Sequence, residues 1–157
     1  MADSACPAPH WCVGLVLKAT LLLSLVLLAG CGSDHPDSRM PEDATTIQAL
    51  RQLAGKDNFA EDPGTLYTGV QDPIVRAELD AKFDHAVELL VSAARGGAST
   101  SEYLEIIETQ INGFDRDALD TEDAEHVASN FEQAMDLLGI ESSDGVLNKW
   151  MYGSDVH

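Results

Sequence analysis

Apolar residues recur three and four apart through most of residues 44–153, and no stretch alternates convincingly at period two. A helix turns once in about 3.6 residues, so this spacing puts one greasy stripe on each segment and demands that the stripes meet. Ile47, Leu50, Leu53 and Ala54 make a short stripe closed by Gly55. Val75, Leu79, Phe83, Val87, Leu90 and Ala94 make a longer one, ended by Arg95 and Gly96-Gly97. Tyr103, Ile107, Ile111 and Phe114 form a third, and Val127, Phe131, Met135 and Leu138 a fourth. A last short helix would hold Val146, Leu147, Trp150 and Met151 and end at Gly153. The expected fold is therefore all-α, a small antiparallel bundle of four to five helices.

The ends of these segments carry their own signals. Asp72-Pro73 is a capping side chain followed by proline at the first helical position, where a missing N–H costs nothing. Ser99-Thr100-Ser101-Glu102 reads as a capping box. Asp120 or Thr121 caps the fourth helix, and the carboxylates that follow favour its positive end. Gly139 stops that helix, with Ile140 placed for the apolar contact that follows a glycine cap. Between the first two helices, Lys56–Gln71 reads as a loop punctuated by Pro63-Gly64. Phe59, Leu66, Tyr67 and Val70 are expected to pin it to the core.

The first thirty residues do not share this pattern. Ala19–Leu28 is an apolar run broken only by Thr20 and Ser24. It is too short to span a bilayer, which takes roughly 20 apolar residues, and fits the roughly 7–15 of a signal-peptide core. Lys18 precedes it, and Leu28-Ala29-Gly30-Cys31 closes it. That tetrad resembles the lipobox of bacterial lipoproteins. The resemblance implies peptidase recognition through Leu28, Ala29 and Gly30, cleavage before Cys31, and a diacylglyceryl thioether on the Cys31 thiol. Several acyl chains together give stable anchoring where one gives marginal binding. Cys6 and Cys12 would leave with the signal, so the mature chain would have no disulfide. Gly32 is not the aspartate that favours inner-membrane retention in that family, which implies the periplasmic face of the outer membrane. Met1–Cys12 carries Asp3 and no Lys or Arg, unlike a signal-peptide start, and points to initiation at Val13 or Val16. The expected organisation is a signal peptide at 1–30, a lipidated cysteine and flexible tether at 31–43, and an acidic helical domain at 44–157. About 110 residues are enough for one domain with a modest core.

Charge narrows the partners. The formal net charge is −18, and removing 1–30 leaves it there because Lys18 and Asp3 cancel. Such a chain repels nucleic-acid phosphates and anionic lipid headgroups. It attracts a basic protein, a cationic peptide or a divalent cation, and the same charge also serves solubility.

Asp120-Thr121-Glu122-Asp123, Phe131-Glu132, Met135-Asp136, Gly139-Ile140-Glu141-Ser142-Ser143, Leu147-Asn148 and Tyr152-Gly153 are the most distinctive residues of the chain. With them, the stretch 120–153 resembles an uncharacterised bacterial domain-of-unknown-function family of small acidic helical proteins. The resemblance implies an all-helical domain and no particular activity.

Chemistry-bearing motifs are sparse. Asp115–Asp120 begins like a calcium loop. Such a loop needs an oxygen ligand at its fifth position, glycine at its sixth and glutamate at its twelfth, where this chain has Leu119, Asp120 and His126. His85 with Glu88, or His126 with Glu122, could share a helix face. Neither histidine follows a glutamate by three residues, as a di-metal bundle requires: position 82 is lysine and position 123 aspartate. No nucleophile elbow, phosphate loop or surviving thiol nucleophile is present. No metal or cofactor is expected, and the chain reads as a non-enzyme. Trp150-Met151-Tyr152 is an aromatic-rich cluster that serves either as a partner contact or as the seam of a docked terminal helix. The leading expectation is a membrane-anchored, non-catalytic interaction module with a protein partner, possibly basic. An immunity or inhibitor protein against a basic toxin or enzyme is the alternative, and an uncharacterised hydrolase the third.

Overall fold

The structure is a computed structural model, and residues 44–153 are described. Five α-helices follow one another: α1 (Ala44–Ala54), α2 (Pro73–Gly96), α3 (Thr100–Ile111), α4 (Thr121–Leu138) and α5 (Val146–Tyr152). A single 3-10 turn, Arg116–Ala118, lies between α3 and α4. Among the described residues there is no β-strand, only an isolated antiparallel bridge between Asp62 and Tyr67. The all-α bundle is the architecture that the apolar spacing requires.

The capping residues act as their chemistry dictates. The Asp72 side chain accepts the amides of Ile74 and Val75, and Pro73 occupies the first helical position. Ser99 and Glu102 close a reciprocal capping box. Asp120, not Thr121, caps α4 by accepting the Asp123 amide at 2.8 Å. Gly139 ends α4 in the left-handed region, φ 69°, where a side chain would be strained. The Ile140 amide then reaches back to the Met135 carbonyl, and Ile140 is buried.

Packing is carried by α1 on α2 and α4, by α2 on α3, and by a triangle of α3, α4 and α5. Phe131 of α4 is the hub. Its ring meets Phe83 of α2 edge-on at 5.5 Å between centroids and Phe114 at 5.9 Å. Leu50, Val87, Ile107, Ile111 and Val127 are fully buried around it. Burial of each such side chain contributes about 1.5–3 kcal/mol.

Two expectations fail at the edge of this core. Val75 is 40% exposed, although it falls on the apolar face of α2. At 24 residues α2 outruns α1 and α3, of 11 and 12 residues, and its buried positions begin only at Leu79. Leu66, expected to pin the loop, is 84% exposed, while Phe59, Tyr67 and Val70 are buried. The Asp62–Tyr67 bridge turns Tyr67 inward and leaves Leu66 at the tip with φ 65°.

Candidate functional site

The connection between α1 and α2 is the element that does not follow from helix packing. It runs over residues 55–72, longer than the about 12–15 residues beyond which structureless connections in compact domains become uncommon and are usually either functional or linkers. It is held instead by polar contacts to α2 and α4.

Asn58 is its pivot. The side-chain Nδ2 donates to the Leu53 carbonyl at 2.9 Å and to the Lys56 carbonyl at 3.3 Å. The Asn58 amide donates to Asp80 Oδ1 on α2 at 2.8 Å. Its carbonyl lies 2.6 Å from Nε2 of His126 on α4. A carbonyl only accepts, so Nε2 carries the proton, and in the neutral ring Nδ1 is left as an acceptor.

The Tyr67 ring stacks on His126 with centroids 3.7 Å apart and planes 9° from parallel. Phe59 meets the same imidazole edge-on at 5.8 Å. The Tyr67 hydroxyl donates to Asp123 Oδ1 at 2.7 Å, and the Thr68 amide donates to Glu122 Oε1 at 3.0 Å. Burial first, then the hydrogen bond and the charge of Asp123, with Asp120 and Glu122 beyond, hold the Tyr67 phenol well above the ordinary tyrosine range. Tyr67 is therefore a neutral donor.

The loop returns on itself beyond this clasp. The Val70 amide bonds the Phe59 carbonyl at 3.0 Å, and the Asp62 amide bonds the Tyr67 carbonyl at 2.9 Å. Gly69 makes this close approach possible: a Cβ there would sit 2.4 Å from the Glu61 nitrogen, and its φ is +74°. At the tip, Asp62 Oδ1 accepts the Gly64 amide at 2.9 Å, and the Thr65 hydroxyl donates to Asp62 Oδ2 at 3.1 Å. A shallow cleft of about 200 Å³ lies under the tip, lined by Thr65, Leu66, Glu122, Glu125, His126 and Ser129 as well as Tyr67.

On the other side of the clasp two carboxyls are electrostatically frustrated. Asp80 is pushed up to about 6 by burial, then by Asp57, against the lowering pull of the Asn58 amide. Asp84 is raised by burial and by Glu88, and its Oδ1 is buried with no hydrogen-bond partner among the described residues. Arg76 is 3.8 Å from Asp57 and Arg51 4.0 Å from Glu88, both with exposed partners that salt screens.

The residues singled out in the sequence are distributed otherwise. His126 and Glu122 both belong to the clasp, but each contacts the loop. His85 is exposed on α2. Asp115 caps the Arg116–Ala118 turn by accepting the Asp117 amide. Among the described residues no group of three or more histidine, cysteine, aspartate or glutamate side chains is arranged to hold a metal ion. Trp150 and Met151 are buried, with Trp150 Nε1 donating to the Phe114 carbonyl at 3.3 Å, which ties α5 to the turn after α3. Tyr152, 62% exposed, is the member of that trio that presents surface. Leu28, Ala29, Gly30 and Cys31, the start sites at Val13 and Val16, and the tether 31–43 lie outside the described residues. No helix among the described residues is long and apolar enough to cross a membrane.

Residues 40–155 match the DUF4844 family, a domain of unknown function. The chain belongs to that family. The match takes in all five helices and the loop 55–72, so clasp and bundle fall within one DUF4844 domain. A crystal structure of a DUF3571 family protein from Acinetobacter baumannii AYE is similar, at 38% identity and a TM-score of 0.67, over 73% of this chain and 94% of that one. None of the curated proteins matches. Both likenesses are to uncharacterised domains, in keeping with the resemblance carried by 120–153.

The Tyr67–His126–Asp123 clasp is the part of the site that sequence reading missed. The bonds from Thr68 to Glu122, Tyr67 to Asp123 and Asn58 to His126 join residues 54, 56 and 68 apart, and a loop carries no periodicity to report a partner. Gly69 and the length of the segment were the available signals.

Proposed function

We propose that this DUF4844 chain is a lipid-anchored envelope protein whose helical domain binds a cationic protein partner without catalysing a reaction. The observation that carries the interaction reading is charge: 27 Asp and Glu face 9 Lys and Arg, so most carboxylates have no cation within the chain to pair with. Such a surface steers a basic partner into fast encounter and penalises acidic ones. The geometry of the clasp favours binding over hydrolysis, since its groups are committed to holding the loop. The Tyr67 hydroxyl is bonded to Asp123, His126 Nε2 to Asn58 and Glu122 to Thr68.

Anchoring rests on Leu28-Ala29-Gly30-Cys31 behind a short apolar run, and implies the periplasmic face of the outer membrane. Cys31→Ala is expected to abolish lipid labelling in cells and leave unprocessed precursor; normal processing of that variant would contradict it. The binding reading is tested by in-cell crosslinking of the tagged chain. A single basic protein captured near stoichiometrically, with association slowed as salt rises, is the expected result. Recovery of abundant envelope proteins alone would count against it. A partner that is a toxin or an enzyme silenced on binding would favour the inhibitor reading, which the same charge supports.

A further inference from the structure

The tip of the loop combines two features that folding alone does not favour. Leu66 has φ 65° and is 84% exposed. The left-handed region crowds a Cβ, so such positions in turns belong by default to glycine or asparagine. Leucine there is strained and, being exposed, recovers nothing by burial in this chain. Nor is the tip loose. The Asp62 carboxylate bonds Gly64 and Thr65, the Asp62 amide bonds the Tyr67 carbonyl, and Tyr67 is stacked on His126. Strained backbone that its surroundings hold in place clusters at sites that grip ligands.

The surroundings of Leu66 decide what it would grip. Glu122 and Glu125 line the same cleft, and Asp62 forms the turn beneath the tip. An apolar knob beside a cleft lined by Glu122 and Glu125, an acidic collar on one side, does not suit an anionic membrane surface or a second copy of a chain with a net charge of −18. It suits a protein face with an apolar socket bordered by lysine and arginine, the arrangement of a desolvated anchor within a polar rim. We infer that Leu66 and its acidic collar are the contact surface for the cationic partner, with Leu66 as the inserted anchor. This rests on the interaction reading above and adds the place and the mode of contact.

The test uses the full chain in cells, with Cys31 intact, carrying a photoreactive benzoylphenylalanine at position 65 beside an unaltered Leu66. Control probes stand at Ile74 and Tyr152, also exposed. The expected result is one protein adduct of basic composition from position 65 and none from the controls. The adduct should fall by about tenfold or more with Leu66→Gly, the scale of losing a central anchor. It should fall by roughly threefold with Glu125→Lys, the scale of a rim charge. Leu66→Gly should melt no lower than the parent, which separates loss of contact from loss of fold. An adduct indifferent to Leu66→Gly, an adduct to lipid, or one of twice the chain mass would overturn the proposal. The same basic protein captured from Ile74 or Tyr152 but not from position 65 would overturn this surface while leaving the interaction reading standing. No protein adduct at any of the three positions would count against both.

Discussion

The core around Phe131 and the loop around Tyr67 are stabilised by different physics. In the core, rings from α2, α4 and the turn after α3 meet edge-on, and the buried side chains of these helices are apolar but for Asn130. Its stability is area removed from water, spread over many residues and indifferent to pH. In the loop, Phe59, Tyr67 and Val70 are buried, but the geometry is set by hydrogen bonds to Asn58, Asp80, Glu122, Asp123 and His126. There stability is directional, concentrated in few groups and exposed to charge. Conserving a bundle needs only the first kind, whereas displaying one side chain at a fixed place needs the second.

The sharpest way to strain that contrast is to injure each region separately. Phe131→Ala empties the hub and is expected to lower unfolding free energy by about 3–5 kcal/mol in urea titration, for the whole domain at once. Gly69→Ala is expected to cost about 1–3 kcal/mol through its positive φ and the close Glu61 backbone. Its damage should appear as faster amide exchange at Val70 and Asp62, with the α2–α4 amides changing less. A uniform loss of protection across both regions would merge them into one cooperative unit.

A smaller effect separates them by pH. The Asp80 carboxyl titrates near 6 in the folded chain against an ordinary value of 3.8, so between those values the folded state holds the proton more tightly. Stability from this group is fully present below about 4 and declines as pH rises through about 6. Asp80→Asn keeps an oxygen for the Asn58 amide and removes the charge. It is expected to flatten that decline and to raise stability at pH 7.5 by about 1 kcal/mol, discounted for solvent screening. A variant less stable than the parent at pH 7.5 would mean that the Asp80 charge is favourable, against the burial argument.

The same contrast explains what the amino-acid sequence disclosed. Helices are local, so Asp72-Pro73, Ser99 with Glu102, and Gly139 announce their ends within a few residues. The stripes through Phe83, Ile107 and Val127 announce their buried faces. Val75 misled because periodicity reports a helix face and not how far the neighbouring helices extend. Leu66 misled because apolar character in a loop does not dictate burial, and the turn at Asp62 throws it outward. The Tyr67–His126 stack was out of reach because it joins a loop without periodicity to a helix far along the chain.

The most direct test of the account is amide exchange on the His126→Ala chain. Removing the imidazole takes away both the Tyr67 stack and the bond to Asn58 while leaving the Phe131 hub intact. The Val70 and Asp62 amides are expected to lose most of their protection while the amides around Phe83 and Phe131 keep theirs. Unchanged protection at Val70 and Asp62 would contradict it, since the loop would then hold Leu66 in place without the clasp.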